Sequence, residues 1–233
     1  MLIDMHAHTS GISSCCRASA KEVLLTAKEH GLDGIVLTNH YQKIYVKDGD
    51  AVAFAQRYWE EFLRTEALGK ELGMRVLFGI EVTQTKRTVI HLLVYGVGRD
   101  FLLAHPTMYD YSQEELYRAV KDFSGILVQA HPYRNGATLL DPKFLDGVEI
   151  NCHPLYNTSE SEKVLADARE HNLLLTCGGD YHADTYRPHC GMILPDSIAS
   201  SQELSAYLLN APALTLCIHE PNTEESYLLT AEK

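Results

Sequence analysis

Short, continuous apolar runs alternate with amphipathic stretches along most of the chain. Leu2-Ile3 opens it, and Gly34 to Thr38, Val76 to Ile80, Val89 to Val97 and Ile126 to Ala130 repeat the pattern. Val148 to Asn151, Leu173 to Thr176, Met192 to Leu194 and Leu214 to Ile218 continue it. Short runs of this kind, apolar on both faces, predict strands buried inside a parallel sheet. Helical periodicity fills the gaps. Ser19-Ala20-Lys21-Glu22 and Ser112-Gln113-Glu114-Glu115 are capping boxes that open helices. Longer helices are predicted from Asp50 to Leu72, ended by Gly73, from Ser159 to Asn172 and from Ser200 to Leu209. Strands alternating with helices predict parallel βα units. About seven such strands in one domain favour an α/β barrel, an imperfect one, over an open sheet. The barrel is expected over residues 1–220, with a polar tail over residues 221–233. No internal repeat, low-complexity block or linker divides the chain.

Composition narrows the function classes. A 45% hydrophobic and 22% charged chain of 233 residues is ordinary for a globular protein with a full core. No apolar run reaches the roughly 18–20 residues of a membrane span. The opening lacks a basic segment followed by an apolar stretch, so a cytoplasmic protein is expected, with no membrane partner. A net charge of −11 argues against a stable nucleic-acid partner, although bound cations would make a local site positive within an acidic protein. None of the six cysteines forms a C-x-x-C pair, and reduced core or site thiols are expected. The twelve histidines are the unusual count.

Their positions fall at one predicted end of strand after strand. In Asp4-x-His6-x-His8 the strand period puts both imidazoles on one side, placed to hold a divalent metal, and Asp4 could orient one of them. His40 follows the second strand. Glu81 ends the third, where a buried carboxylate is costly unless it is paired or metal-bound. His131-Pro132 and Asp180-Tyr181-His182 end later strands, the latter after two glycines that allow a close backbone approach. His91, inside an apolar strand, reads from its surroundings as a satisfied core histidine. Mixed His/Asp/Glu donors suit Zn2+, Mn2+ or Fe2+. They outnumber what one tetrahedral ion can use, so two or three ions are implied, with a carboxylate such as Glu81 bridging.

The set Asp4-x-His6-x-His8, Thr38-Asn39-His40, Gly79-Ile80-Glu81, His91 in Ile-His-Leu-Leu, Ala130-His131-Pro132 and Gly179-Asp180-x-His182 resembles the PHP family, the polymerase and histidinol phosphatase domain. The motifs span residues 4–182 in family order. The resemblance implies a single-domain distorted (β/α)7 TIM-like barrel and a stand-alone metal-dependent phosphoesterase with a trinuclear site. Carried over residue by residue, His6, His8, Glu81 and Asp180 would hold a first ion. Glu81 would bridge to a second, held also by His91 and His131, which makes His91 a ligand. His40 and His182 would hold a third. Two departures stand out. Asn39 replaces an acid common at that position and is expected to tune His40 less strongly. Cys15 is either a further ligand of the third ion or an incidental loop thiol.

The expected reaction is hydrolysis of a small phosphomonoester by a metal-bound hydroxide. Asp180 or His182 is the expected acid or proton relay, with Arg134 as a phosphate clamp. Arg187 and His189 are further candidate substrate contacts. Glu149 is read as an acid behind the ligands or facing substrate, and His153 as a residue of the mouth. Alternatives are a phosphodiesterase or exonuclease on nucleotides or short oligonucleotides, a protein-tyrosine phosphatase, and a non-catalytic module.

Overall fold

The computed structural model describes residues 1–84, 89–153, 160–182, 189–219, 223 and 225–232. β1 (Leu2–Ala7) leads through a polar loop into α1 (Ala20–Glu29). The Ser19 side chain accepts from the Glu22 amide while the Glu22 carboxylate accepts from the Ser19 amide, so the predicted capping box forms. β2 (Gly34–Leu37) and the two-residue β3 (His40–Tyr41) precede α2 (Ala51–Leu72), which Gly73 ends in the left-handed conformation at φ 68°. Next come β4 (Arg75–Gln84), β5 (Ile90–Tyr95), α3 (Arg99–Ala104) and α4 (Gln113–Asp122). α4 also starts on its predicted capping box, at Ser112 and Glu115. β6 (Ile126–Gln129), β7 (Gly147–Asn151), α5 (Ser161–His171) and β8 (Leu174–Gly178) follow. β9 (Gly191–Ile193), α6 (Ser201–Asn210), β10 (Ala213–His219) and β11 (Ser226–Glu232) complete the order.

Seven strands, β1-β2-β4-β5-β6-β7-β8, run side by side around a barrel. The ring closes where the chain just after β8 meets the upper half of β1. There the His8 amide donates to the Tyr181 carbonyl at 3.1 Å and the Tyr181 amide to the His6 carbonyl at 3.3 Å. Lower on the same edge, Leu2 and Ile3 pair instead with β9, which carries β10 and β11 away as an antiparallel extension. Every residue of β2 and of β6 is buried, as their uninterrupted apolar sequences predict. Leu92, Leu93, Val94 and Tyr95 are fully buried, and each such side chain stabilises by about 1.5–3 kcal/mol. The Tyr95 hydroxyl reaches across to the Met5 carbonyl at 2.9 Å, tying β5 to β1.

The expectation of parallel strands throughout is corrected at β5. It runs antiparallel to both β4 and β6. Only residues 85–89 separate it from β4, hairpin spacing with no room for a crossover helix. Within the stretch read as a polar tail, Ser226–Glu232 is a strand paired with β10, with Leu229 and Ala231 packed against the core. Among the described residues, no helix is long and apolar enough to cross a membrane.

Candidate metal centre

One mouth of the barrel gathers the predicted donors. His6 and His8 project together from β1 and are fully buried. β3 pairs with β4 so that His40 lies beside Glu81. β5, because it is antiparallel, delivers His91 from its first turn of strand, opposite Thr83. His131 follows β6, and Asp180 and His182 follow β8. His131 at φ 30° and Asp180 at φ 53° sit in the left-handed region that side chains avoid. Such conformations cost about 1–3 kcal/mol and collect where surrounding structure holds a side chain for a purpose.

Glu81 is the hub. Its Oε1 lies 2.6 Å from His91 Nδ1, 3.3 Å from His6 Nε2 and 3.3 Å from His131 Nε2. Its Oε2 lies 2.5 Å from His40 Nδ1 and 3.4 Å from His8 Nε2. Asp180 Oδ1 lies 3.1 Å from His8 Nε2 and 3.4 Å from His6 Nε2. His182 Nε2 faces His40 Nε2 at 3.4 Å. Three overlapping donor sets result, each with its ligand atoms within 4.8 Å of one another: His6/His8/Glu81/Asp180, His40/Glu81/His91 and His8/His40/His182. The first is the predicted set. The other two share His40: the third keeps His40 with His182 as the sequence reading has it, and the second puts His40 beside His91 where that reading has His131.

The residues fit divalent ions. His6 Nδ1 is 2.8 Å from Glu149 Oε1, so that nitrogen carries the proton and Nε2 turns its lone pair inward, where it has no hydrogen-bond partner. His8 Nδ1 pairs with Ser13 Oγ at 3.2 Å and again leaves Nε2 inward. His182 Nδ1 donates to the Asp180 carbonyl at 2.8 Å with the same result. Glu81 Oε2, fully buried, also lacks a hydrogen bond of acceptable geometry. Lone pairs converging on one another in a dry site repel unless a cation lies between them.

Packed this closely, the donors shift one another's titration. Burial would raise Glu81, yet His40, His91 and His6 hold it well below the usual carboxylate range. Asp180 is lowered against burial by His6 and Arg134. Burial would lower His40 and His182, but Glu81 lifts the first to about 9 and Asp180 with Cys15 lifts the second to about 10. His8 goes the other way, well below its ordinary value, through burial and the charges of His182 and His40.

Several expectations change. Asp4 orients no imidazole: its Oδ1 accepts the His6 amide at 2.9 Å and the Gly179 amide at 2.8 Å, fastening the two site-bearing strands together. Glu149 takes the imidazole-orienting role on His6. Asn39 acts away from His40. Its Oδ1 accepts from the Thr9 amide at 2.8 Å and from Ser13 Oγ at 2.9 Å, and its Nδ2 donates to Thr9 Oγ1 at 3.0 Å. Asn39 thus holds the Ser13 hydroxyl that aligns His8. Thr9 Oγ1 donates onward to buried Glu61 of α2 at 2.7 Å. Ser13 and Glu61 were not singled out from sequence. In sequence Ser13 looks like any loop hydroxyl and Glu61 like any polar helix residue.

Cys15 lies at the exposed rim, hydrogen-bonded to His182 and His40; burial would raise its thiol, but these two bring it down to about 6. Arg134 anchors Asp180, with Nη1 at 2.5 Å from Oδ2, and reaches Asn151 Oδ1 with Nη2 at 2.6 Å. His153 is buried nearby and pushed down to about 4 by burial. His189 is not drawn into the cluster: its Nδ1 donates to the His30 carbonyl at the C-terminus of α1, at 2.9 Å. The sequence placed it by proximity along the chain, and the turn into β9 carries it elsewhere. Arg187 lies outside the described residues.

No protein-family model matches the chain. An uncharacterized protein of Methanocaldococcus jannaschii is 25% identical over 163 residues, covering 64% of this chain and 81% of that protein. A candidate metal-dependent phosphoesterase from Bifidobacterium adolescentis superposes with TM-score 0.57 at 18% identity, covering 89% of this chain and 95% of its own. PsfC from Pseudomonas syringae gives 0.64 at 19% identity, over 87% and 86% of the two chains. An amidohydrolase from Chromobacterium violaceum, solved with bound sulfate and no metal, gives 0.63 at 15% identity, over 89% and 97%. At these identities the likeness establishes the fold: the chain has the distorted seven-stranded α/β barrel that its resemblance to the PHP family implied.

Proposed function

We propose that the chain is a metal-dependent phosphoesterase acting on small phosphomonoesters. One observation carries the reading: a single buried carboxylate, Glu81, lies within 3.4 Å of five imidazoles. A carboxylate with two oxygens cannot satisfy five imidazoles through shared protons, and bridging between ions is the arrangement that uses them all. His6, His8, Glu81 and Asp180 would hold one ion, Glu81 with His91 and His131 a second, and His40 with His182 a third, with Cys15 as an added thiolate donor there. Zn2+, Mn2+ or Fe2+ in these positions would polarise phosphoryl oxygens and lower the pKa of water.

The protein groups divide the remaining work. Arg134 is fixed beside Asp180 and would meet the phosphoryl oxygens with a planar guanidinium. His182, half-buried at the rim with Nδ1 committed to the Asp180 carbonyl, would give Nε2 to the third ion, so it is a ligand there and holds no proton for the leaving oxygen. Ser13 and Glu149 keep His8 and His6 in the tautomers that turn Nε2 inward. The strand-borne donors give the site a rigid frame, which favours a small substrate that fits the mouth over one that must be wrapped. The bis-anionic phosphate of a monoester suits a centre of several cations, and the acidic surface disfavours a polyanionic partner.

The test is a substrate panel on metal-loaded protein: an aryl phosphate, a bis-aryl phosphodiester, a phosphotyrosine peptide and a short oligonucleotide. The aryl phosphate is expected to release phosphate with kcat/KM at least tenfold above the other three. Preference for the diester or the oligonucleotide would overturn the monoester reading, and preference for the peptide would make the protein a tyrosine phosphatase.

A further inference from the structure

A second set of metal donors lies outside this centre. Cys152 follows β7, Cys177 belongs to β8 and Cys190 precedes β9. All three are fully buried, and their sulfurs lie within 4.8 Å of one another. The cluster sits on the far side of the barrel wall from the histidines. Gly178 faces His6 and Glu149, so Cys177, one residue earlier in the strand, points the opposite way. There β10 covers it, and the Cys177 thiol reaches the Cys217 carbonyl at 3.3 Å.

Chance burial of one cysteine needs no explanation, since the side chain packs as a small hydrophobe. Three sulfurs sharing one dry spot do. Cys152 Sγ lies 3.6 Å from Cys177 Sγ. Metal–sulfur bonds of about 2.3 Å put neighbouring sulfurs of one ion about 3.8–4 Å apart, so little movement closes the set on a cation. The sulfur of Cys152 is also hydrogen-bonded to the backbone amide of His219 and lies within hydrogen-bond reach of the other two thiols, an environment that favours thiolate. Among the described residues, no imidazole, carboxylate or fourth thiol joins the three within the same radius. Soft thiolates suit Zn2+ and Cu(I) alike, but structural Zn2+ takes four protein ligands, and a set of three matches the lower coordination number of Cu(I).

We propose that Cys152, Cys177 and Cys190 form a three-sulfur site for Cu(I), separate from the phosphoesterase centre. Each thiol that ligates releases its proton to solvent, and no redox step is required.

Anaerobic titration with Cu(I), offered as a chelator complex, tests this on the full chain. The wild type is expected to withdraw a single equivalent that excess Zn2+ does not displace. C177S and C190S are each expected to lose that uptake while phosphate release from an aryl phosphate stays within twofold of wild type. X-ray absorption at the copper edge gives the same answer without substitution: three sulfur neighbours at about 2.3 Å and no nitrogen are expected. The proposal is overturned if the chelator keeps the copper, if uptake persists in C177S and C190S, if Zn2+ displaces it, or if the purified protein carries a Cys152–Cys177 disulfide.

Discussion

Glu81, Glu149 and Asn39 show how single residues set this centre. Glu149 is fully buried and holds His6 through Nδ1. Replacing it with Gln keeps the shape and removes the charge that makes the imidazole a strong donor. Partners of this kind are worth about 10–100-fold in metal affinity. Glu149→Gln is therefore expected to weaken metal binding by about that factor in a competition against a calibrated chelator, and an unchanged affinity would remove Glu149 from the role. Asn39 explains why an acid is absent from its position. Its amide donates to Thr9 Oγ1, whose own proton goes to Glu61. An Asp there would set two carboxylates against one hydroxyl in a buried network. Asn39→Asp is expected to destabilise the fold by about 1–3 kcal/mol, read as a lower thermal midpoint, and a neutral or higher midpoint would contradict this account.

At the scale of elements, what was legible in the sequence was what local chemistry encodes. Both capping boxes, the Gly73 stop and the buried strands could be read because caps and apolar runs are short-range signals. The strand period of His6 and His8 was equally local. The direction of β5 was not legible from apolar pattern, because a run buried on both faces reads the same either way. That is why His91 looked like a core residue: it begins a strand that enters the mouth from the opposite direction. The resemblance to a family, and not the periodicity, had marked it as a donor. Asp4 was misassigned because sequence spacing shows which side a residue faces and not which amides lie beside it. The Gly178-Gly179 pair was read as room for a ligand. The room is for β1: a Cβ on Gly178 would stand 2.5 Å from His6 Cβ and 2.7 Å from its amide nitrogen. Gly178→Ala is expected to push β8 from β1, costing about 1–3 kcal/mol and loosening His6. Thermal melts with and without metal check this, and the difference between the two melts should shrink in the variant.

The whole molecule behaves as a barrel whose open end concentrates uncompensated donors. Any ion that binds the folded chain and not the unfolded one stabilises by mass action, about 2.7 kcal/mol at a hundred times its dissociation constant. For a chain of this length that corresponds to a rise of about 5–10 °C in the thermal midpoint, reversed by chelation. An absence of any such shift with Zn2+, Mn2+ or Fe2+ would mean the converging lone pairs bind no ion. Stability alone leaves the chemistry open, and the most direct test joins the two. Phosphate release from an aryl phosphate is measured on chelator-stripped protein, then after return of Mn2+ or Zn2+. The expected result is no release from the stripped protein, recovery with the metal, and no recovery in His8→Ala. Release that persists without metal, or metal-loaded protein that releases none, would contradict the account.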